Sequence, residues 1–160
     1  MAILKIVTVK EDDAFLRKIS RPVTEITPRI LTLLDDMTET MREADGVGLA
    51  AVQVGVLRRV VVIEVEEGEV IELINPRIIA KAGEQQETEG CLSLPDKWGV
   101  TKRPAAVTVR ALNRNGEEFE VRGTELLARA LCHELDHLDG HLFTDRMVRE
   151  LTRREKRDLQ

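Results

Sequence analysis

Aromatic residues are almost absent: 160 residues include three Phe, one Trp and no Tyr. The core of this chain must therefore be filled by Leu, Ile and Val. Cysteine is nearly as scarce, and Cys91 and Cys132 alone are too few for a disulfide framework. No run of about 20 apolar residues occurs, so no membrane-spanning helix is expected. The opening residues, Met1-Ala2-Ile3-Leu4-Lys5, lack the charged-then-apolar pattern of a secretory signal. Positive charge is not in excess either. With 24 Lys and Arg against 29 Asp and Glu, the net charge is −5, which argues against a general nucleic-acid binder. These absences point to a reducing compartment: the cytoplasm, or an organelle interior if a targeting segment has been removed.

What remains is the composition of a folded domain, 42% hydrophobic and 33% charged. Neither an internal repeat nor a linker divides the chain, so residues 1–160 read as a single domain. Thr27-Pro28 is a helix start, a capping residue followed by the proline tolerated at the first helical position. Ile30, Leu34, Met37 and Met41 then recur at helical spacing, with Gly46 beyond the end. Strand-like segments follow at 58–66, 70–74, 77–80, 106–111 and 118–121, and Asn115-Gly116 is a hairpin turn signal. A second helix begins at Thr124 and runs to about Leu138 before Gly140 stops it. A third is expected over 145–158. Strands in the middle and helices toward the ends predict an α+β fold, its sheet largely antiparallel.

The second helix carries His133-Glu134-Leu135-Asp136-His137. Histidines four apart lie about 40° apart around a helix and one turn above each other, so both rings can reach one ion. Glu134 projects beside the first of them, where a carboxylate can take a proton from activated water. Leu127, Leu131 and Leu138 occupy another face, which reads as core. A catalytic ion needs a third protein ligand and one open position. The candidates are Cys91, Cys132, His141 and the acidic residues. Cys132 is rotated about 100° from His133 and reads as a small buried filler. His141 lies past Gly140, off the helical line, and reads as a surface residue. Cys91, in Glu89-Gly90-Cys91-Leu92-Ser93, is the better candidate, because glycine there allows close backbone approach. A third segment, Gly46-Val47-Gly48-Leu49-Ala50-Ala51-Val52-Gln53, is rich in small residues, and Gln53 is its one polar side chain. It lacks the Lys-Ser/Thr of a phosphate-binding loop.

Taken in order, the three segments resemble those of the bacterial and organellar peptide deformylases. The pattern G-x-G-x-A-A-x-Q is matched by Gly46, Gly48, Ala50, Ala51 and Gln53, and E-G-C-L-S by Glu89-Gly90-Cys91-Leu92-Ser93. The histidine motif follows, and the likeness extends from about Ile3 to Met147. The resemblance implies a metal-dependent hydrolase removing the formyl group from the N-terminal methionine of new polypeptides. It further implies Cys91, His133 and His137 as metal ligands and Glu134 as general acid and base. Gln53 and the backbone N–H of Leu92 would be the oxyanion donors. One divalent ion is implied, Fe(II), with Ni, Co or Zn able to substitute; one thiolate and two imidazoles alone would favour zinc.

On the helical wheel, Leu126, Arg129 and Ala130 share the His133 side. With Val47, Gly48 and Gly90 they are the expected methionine pocket, the stem of Arg129 lining it while the guanidinium reaches solvent. Arg129 departs from an apolar residue common in the family, Cys132 from glutamine, and Trp98 from an arginine. Arg103 is a basic residue near Trp98, expected to pair with Glu89. Two other classes fit less well. A zinc endopeptidase shares H-E-x-x-H, but this chain is small and carries a cysteine ligand. A structural metal site would want four ligands and no adjacent carboxylate. The expected partners are N-formylmethionyl nascent peptides, met by a monomer away from any membrane. Arg146, Arg149, Arg153 and Arg157 share an arc of about 80° if 145–158 is one helix. Such a basic edge would suit a ribosome contact.

Overall fold

The computed structural model describes residues 2–159. The first helix, α1 (Val9–Leu16), was not evident in the sequence; it is acidic, Leu16 is its one buried residue, and Val9 and Phe15 pack half-buried against the core. The helix expected after Thr27 is α2 (Pro28–Glu43). The Thr27 side chain accepts from the Ile30 N–H, while Leu34, Met37 and Met41 are fully buried. Burial of such side chains is worth about 1.5–3 kcal/mol each.

Two antiparallel sheets follow. The larger contains β1 (Gly48–Ala50), β2 (Val60–Ile63), β3 (Ile71–Ala82), β6 (Ala106–Leu112) and β7 (Glu118–Thr124), in the order β1-β2-β3-β6-β7. The smaller contains β4 (Gln85–Cys91), β5 (Leu94–Arg103) and β8 (Met147–Glu150), with β5 in the centre. The last long helix, α3 (Glu125–Leu138), packs on one face of the larger sheet, and α2 packs on the other. This explains β2, where all four residues are buried. Val61 and Ile63 meet the α3 side, while Val60 and Val62 meet α2. A strand covered on both faces is apolar at every position rather than at alternate ones.

The α+β fold with its antiparallel sheet is as expected, but several boundaries differ. The segment 58–66 contracts to β2, and 70–74 and 77–80 join as β3. Between them the register shifts where Asn75 takes a left-handed conformation at φ 54°. Its side-chain amide ties down Val23, accepting from the N–H and donating to the carbonyl. The Asn115-Gly116 turn joins β6 to β7, with Gly116 at φ 78°. Thr124 stands at the start of α3, but its side chain makes no capping hydrogen bond. Gly140 ends that helix at φ 81°, where a side chain would run into the Arg17 carbonyl.

The expected helix over 145–158 does not exist as one element. A single 3-10 turn, Phe143–Arg146, leads into β8, and a short helix, α4 (Arg153–Asp158), follows. Residues Met147–Glu150 are extended because they complete the edge of β5. Thr152 then restarts a helix through a reciprocal cap with Glu155. Arg146 and Arg149 consequently share no helical edge with Arg153 and Arg157. Arg146 binds Asp136, and Arg149 binds Glu155.

Candidate active site

Helix α3 is wedged between the two sheets, so its polar residues are buried along with its leucines. His133, Glu134 and His137 are at most 8% exposed. The two imidazoles lie on successive turns, with their Nε2 atoms 3.3 Å apart. Cys91 ends β4 just before the turn into β5, and its Sγ lies 3.4 Å from His137 Nε2. One donor atom from each of the three falls within 4.8 Å of the others. The other two candidates lie elsewhere. Cys132 sits in the apolar cluster with Ala128, Leu131 and Leu135, and burial pushes its thiol up to about 11. The His141 side chain is 47% exposed, and its Nδ1 faces Asp145 at 3.5 Å.

The orientation of His133 is fixed from behind. Its Nδ1 lies 3.0 Å from Glu89 Oε1, so Nδ1–H donates to the carboxylate and Nε2 is turned toward Cys91 and His137. Phe143 stacks on the same ring, with centroids 6.1 Å apart. Glu89 is itself clamped: Arg103 donates from Nε at 3.0 Å and from Nη2 at 2.9 Å, and the Thr101 hydroxyl donates as well. Burial opposes the charged carboxylate, but His133 and Arg103 outweigh it and hold Glu89 down at about 2. Arg103 reaches on to Asp136 at 2.6 Å, and Asp136 also receives Arg146. A chain of ion pairs thus braces the ligand helix against the smaller sheet.

The donor set suits a soft-to-borderline divalent ion. The surroundings pull positive charge to the same point. Burial disfavours a charged His133, yet Glu134, Cys91 and Glu89 outweigh it and drive its pKa well above the ordinary value. His137 goes the other way, driven well below by burial and by His133 and Arg103. Beside the cluster lies Glu134, whose Oε2 is 3.9 Å from His133 Nε2. Its Oε1 is buried without a hydrogen-bond partner, and burial pushes the carboxyl up to about 7. Gly48 makes room for it, since a Cβ there would lie 2.6 Å from Glu134 Oε2. Gln53 closes the site from the 3-10 turn Ala51–Val54. Its Oε1 accepts from the Ala50 N–H at 3.0 Å, and its amide nitrogen donates to Ser93 Oγ at 3.1 Å and toward Cys91 Sγ at 3.6 Å.

The cluster opens onto a cavity of about 430 Å³. Val47, Gly48, Gly90, Leu126, Arg129 and Ala130 all line it, together with Gln53, Leu92, Cys91, His133 and Glu134. The Arg129 guanidinium does not simply reach solvent: it donates to Gln85 Oε1 at 2.8 Å. Two contributors escaped the sequence reading. Glu89 pairs with Arg103 as expected, but its contact with His133 was not foreseen. Nothing local in the sequence signals it, because the two residues meet only when β4 is brought against α3. Trp98 was noted only as a departure, yet it forms a wall of the cavity.

The comparisons agree with this geometry. A family model described as polypeptide deformylase matches residues 3–153. The peptide deformylase of Alkaliphilus metalliredigens is 64% identical over 140 residues, covering 88% of this chain and 95% of that one. The peptide deformylase of Thermoanaerobacter pseudethanolicus is 56% identical over 151 residues, 94% of each chain. Among solved structures, the peptide deformylase of Ehrlichia chaffeensis in complex with actinonin superposes with a TM-score of 0.87 at 39% identity, covering 99% of this chain and 94% of that one. That of Thermotoga maritima gives 0.88 at 35% identity, covering 93% and 100%. Motif order, fold and site therefore converge, and this chain belongs to the polypeptide deformylase family.

Proposed function

We propose that Cys91, His133 and His137 hold one divalent metal ion, and that Glu134 moves the protons of the hydrolysis this enzyme performs. The reaction removes the N-formyl group from the N-terminal formylmethionine of nascent polypeptides and releases formate. One observation carries the assignment of roles. Three ligand atoms converge beside a buried carboxylate with an unpartnered oxygen, at the end of a cavity that is otherwise largely apolar. Such an ion, when bound, acidifies water and polarises a carbonyl.

The protein supplies the rest. Glu134 accepts the proton of the attacking water and returns it to the leaving amine, a task suited to a carboxyl pushed up to about 7. Negative charge developing on the formyl oxygen is met by the Gln53 amide and the Leu92 N–H. The Gln53 contact with sulfur is its longest, so that N–H is the one a substrate oxygen competes for. Val47, Leu126, Ala130 and the Arg129 stem receive the methionine side chain, and Gly48 and Gly90 let the backbone approach. Glu89 keeps His133 turned inward.

Residues 1–160 act as a single catalytic domain, a cytoplasmic monomer meeting chains as they leave the ribosome. Contact with ribosomal RNA falls to the exposed Arg153, Arg154 and Arg157 of the C-terminal segment, since Arg146 and Arg149 are engaged within the protein. Charge reversal of these three should lower cosedimentation with ribosomes at low salt, and unchanged cosedimentation removes that contact. The native ion is Fe(II), with Ni, Co or Zn able to replace it. Anaerobic loading with each ion in turn, followed by formate release from a formyl-Met peptide, tests this. The ferrous form should be active and lose activity in air, whereas the nickel form should survive air. An inactive ferrous form overturns the iron assignment.

A further inference from the structure

Gln53 sits in a turn that does not fix its backbone alone. Within the 3-10 turn Ala51–Val54 the Gly55 N–H donates to the Val52 carbonyl and the Val56 N–H to the Ala51 carbonyl. The Gln53 carbonyl, one of the groups a helical turn leaves without a partner of its own, accepts instead from the Val7 N–H at 2.7 Å. Two residues on, the Val9 N–H donates to the Ser93 carbonyl at 3.0 Å. Ser93 is fully buried, and its hydroxyl accepts the Gln53 amide at 3.1 Å. The segment leading into α1 is thus clipped to the two residues that set where the Gln53 amide points.

That segment is itself anchored. The Ala2 N–H donates to Asp36 Oδ1 at 2.7 Å and the Leu4 N–H to Thr40 Oγ1 at 2.8 Å, both acceptors lying on α2. Val7 and Val9 pack half-buried against the cluster of Leu16, Leu94, Leu142 and Phe143, which Cys91 also borders. Neither valine lines the cavity, so any effect of theirs on the reaction has to be relayed.

Resting on the reading of Gln53 as an oxyanion donor, we infer that Val7 and Val9 are positioning residues, whose main-chain N–H groups hold the Gln53 amide in line with the formyl oxygen. A donor of this kind acts by being fixed before charge develops. A displacement of about 1 Å at a reacting group costs up to about 10²-fold, so a small drift of the amide has a measurable price.

The geometry offers a clean variant. Val9 is the first residue of α1, where the N–H has no intrahelical partner, and Thr8 before it is extended at φ −110° and ψ 160°. Proline suits the first position and an extended residue suits the place before it, so Val9→Pro removes the rung to Ser93 and little else. On the zinc-loaded enzyme with a formyl-Met peptide, kcat for formate release should fall by about tenfold. KM should stay within about twofold, and metal content should not change. Val9→Ala, which keeps the N–H, should recover most of the activity.

The decisive measurement repeats Val9→Pro in Gln53→Leu, where it should cost no more than about twofold because the amide it positions is gone. A merely structural role would lower kcat by the same factor in both backgrounds. Replacing Val7 by its α-hydroxy acid, an ester that lacks only the N–H, removes the other rung and should give the same pattern, so the test does not depend on proline. Equal loss in both backgrounds, or no loss in the wild-type background, overturns the proposal while leaving the deformylase reading intact. Gln53→Leu as fast as wild type overturns the oxyanion role, and the inference falls with it. Absence of formate from the wild type overturns the deformylase reading itself.

Discussion

Metal-loaded Glu134→Gln is expected to keep its metal and its fold while kcat drops by about 10²–10⁴-fold. The substitution preserves shape in a place where shape is tightly set, since Gly48 leaves no slack beside the carboxylate. Glutamine can hydrogen-bond there but can neither take the proton of water nor give one to the amine. The loss should fall on kcat, because the methionine is held by the pocket and not by this group. Gln53→Leu gives a useful contrast. It removes one donor to the developing oxyanion and should cost on the order of 10²–10³. It leaves proton transfer in place, so the two variants differ in their pH profiles. Wild-type activity is expected to fall as pH drops through the titration of the carboxylate that must accept a proton. The Gln53 variant should keep that acid limb, and the Glu134 variant should lose it. Metal loss in Glu134→Gln would make that residue a ligand instead.

The second large effect concerns the two cysteines. Cys91→Ala should leave the protein without bound metal, whereas Cys132→Ala should retain it. Only the Cys91 sulfur faces the histidines, while Cys132 sits among leucines and alanines. Removing the Cys132 sulfur opens a small apolar gap and should cost about 1 kcal/mol of stability. Elemental analysis of both purified variants decides the matter, and equal loss of metal in the two would refute the ligand assignment.

The site was more legible in the sequence than the fold that carries it. His133 and His137 declare themselves because helical spacing fixes their geometry locally, and Glu134 comes with them. Cys91 was harder, since nothing local ties it to α3; only the topology of β4 and β5 brings it there. Those two strands went unread because their sequences are largely polar. In β4 only Glu89 is buried, and four successive residues of β5, from Pro95 to Trp98, are exposed. Apolar alternation, the usual sign of a strand, is missing where one sheet face carries ion pairs. The C-terminal error has a similar origin. Residues 145–158 are rich in helix formers, and propensity alone prefers one helix. Pairing with the edge of β5 overrides it, so Met147–Glu150 extend and a fresh cap at Thr152 is needed. Glu89, the residue that aims His133, looked like a partner for Arg103 alone. A partner on a separate helix is a tertiary fact.

The central claim is that this cluster hydrolyses a formyl amide at the N-terminal methionine. The most direct measurement is the release of formate by the anaerobic, iron-loaded protein from a formyl-Met peptide, run beside its acetylated analogue and with Glu134→Gln as the blank. The account predicts rapid formate release by wild type, little acetate from the bulkier acyl group and almost nothing from the variant. Equal turnover of both peptides, or formate release undiminished in metal-loaded Glu134→Gln, would contradict it.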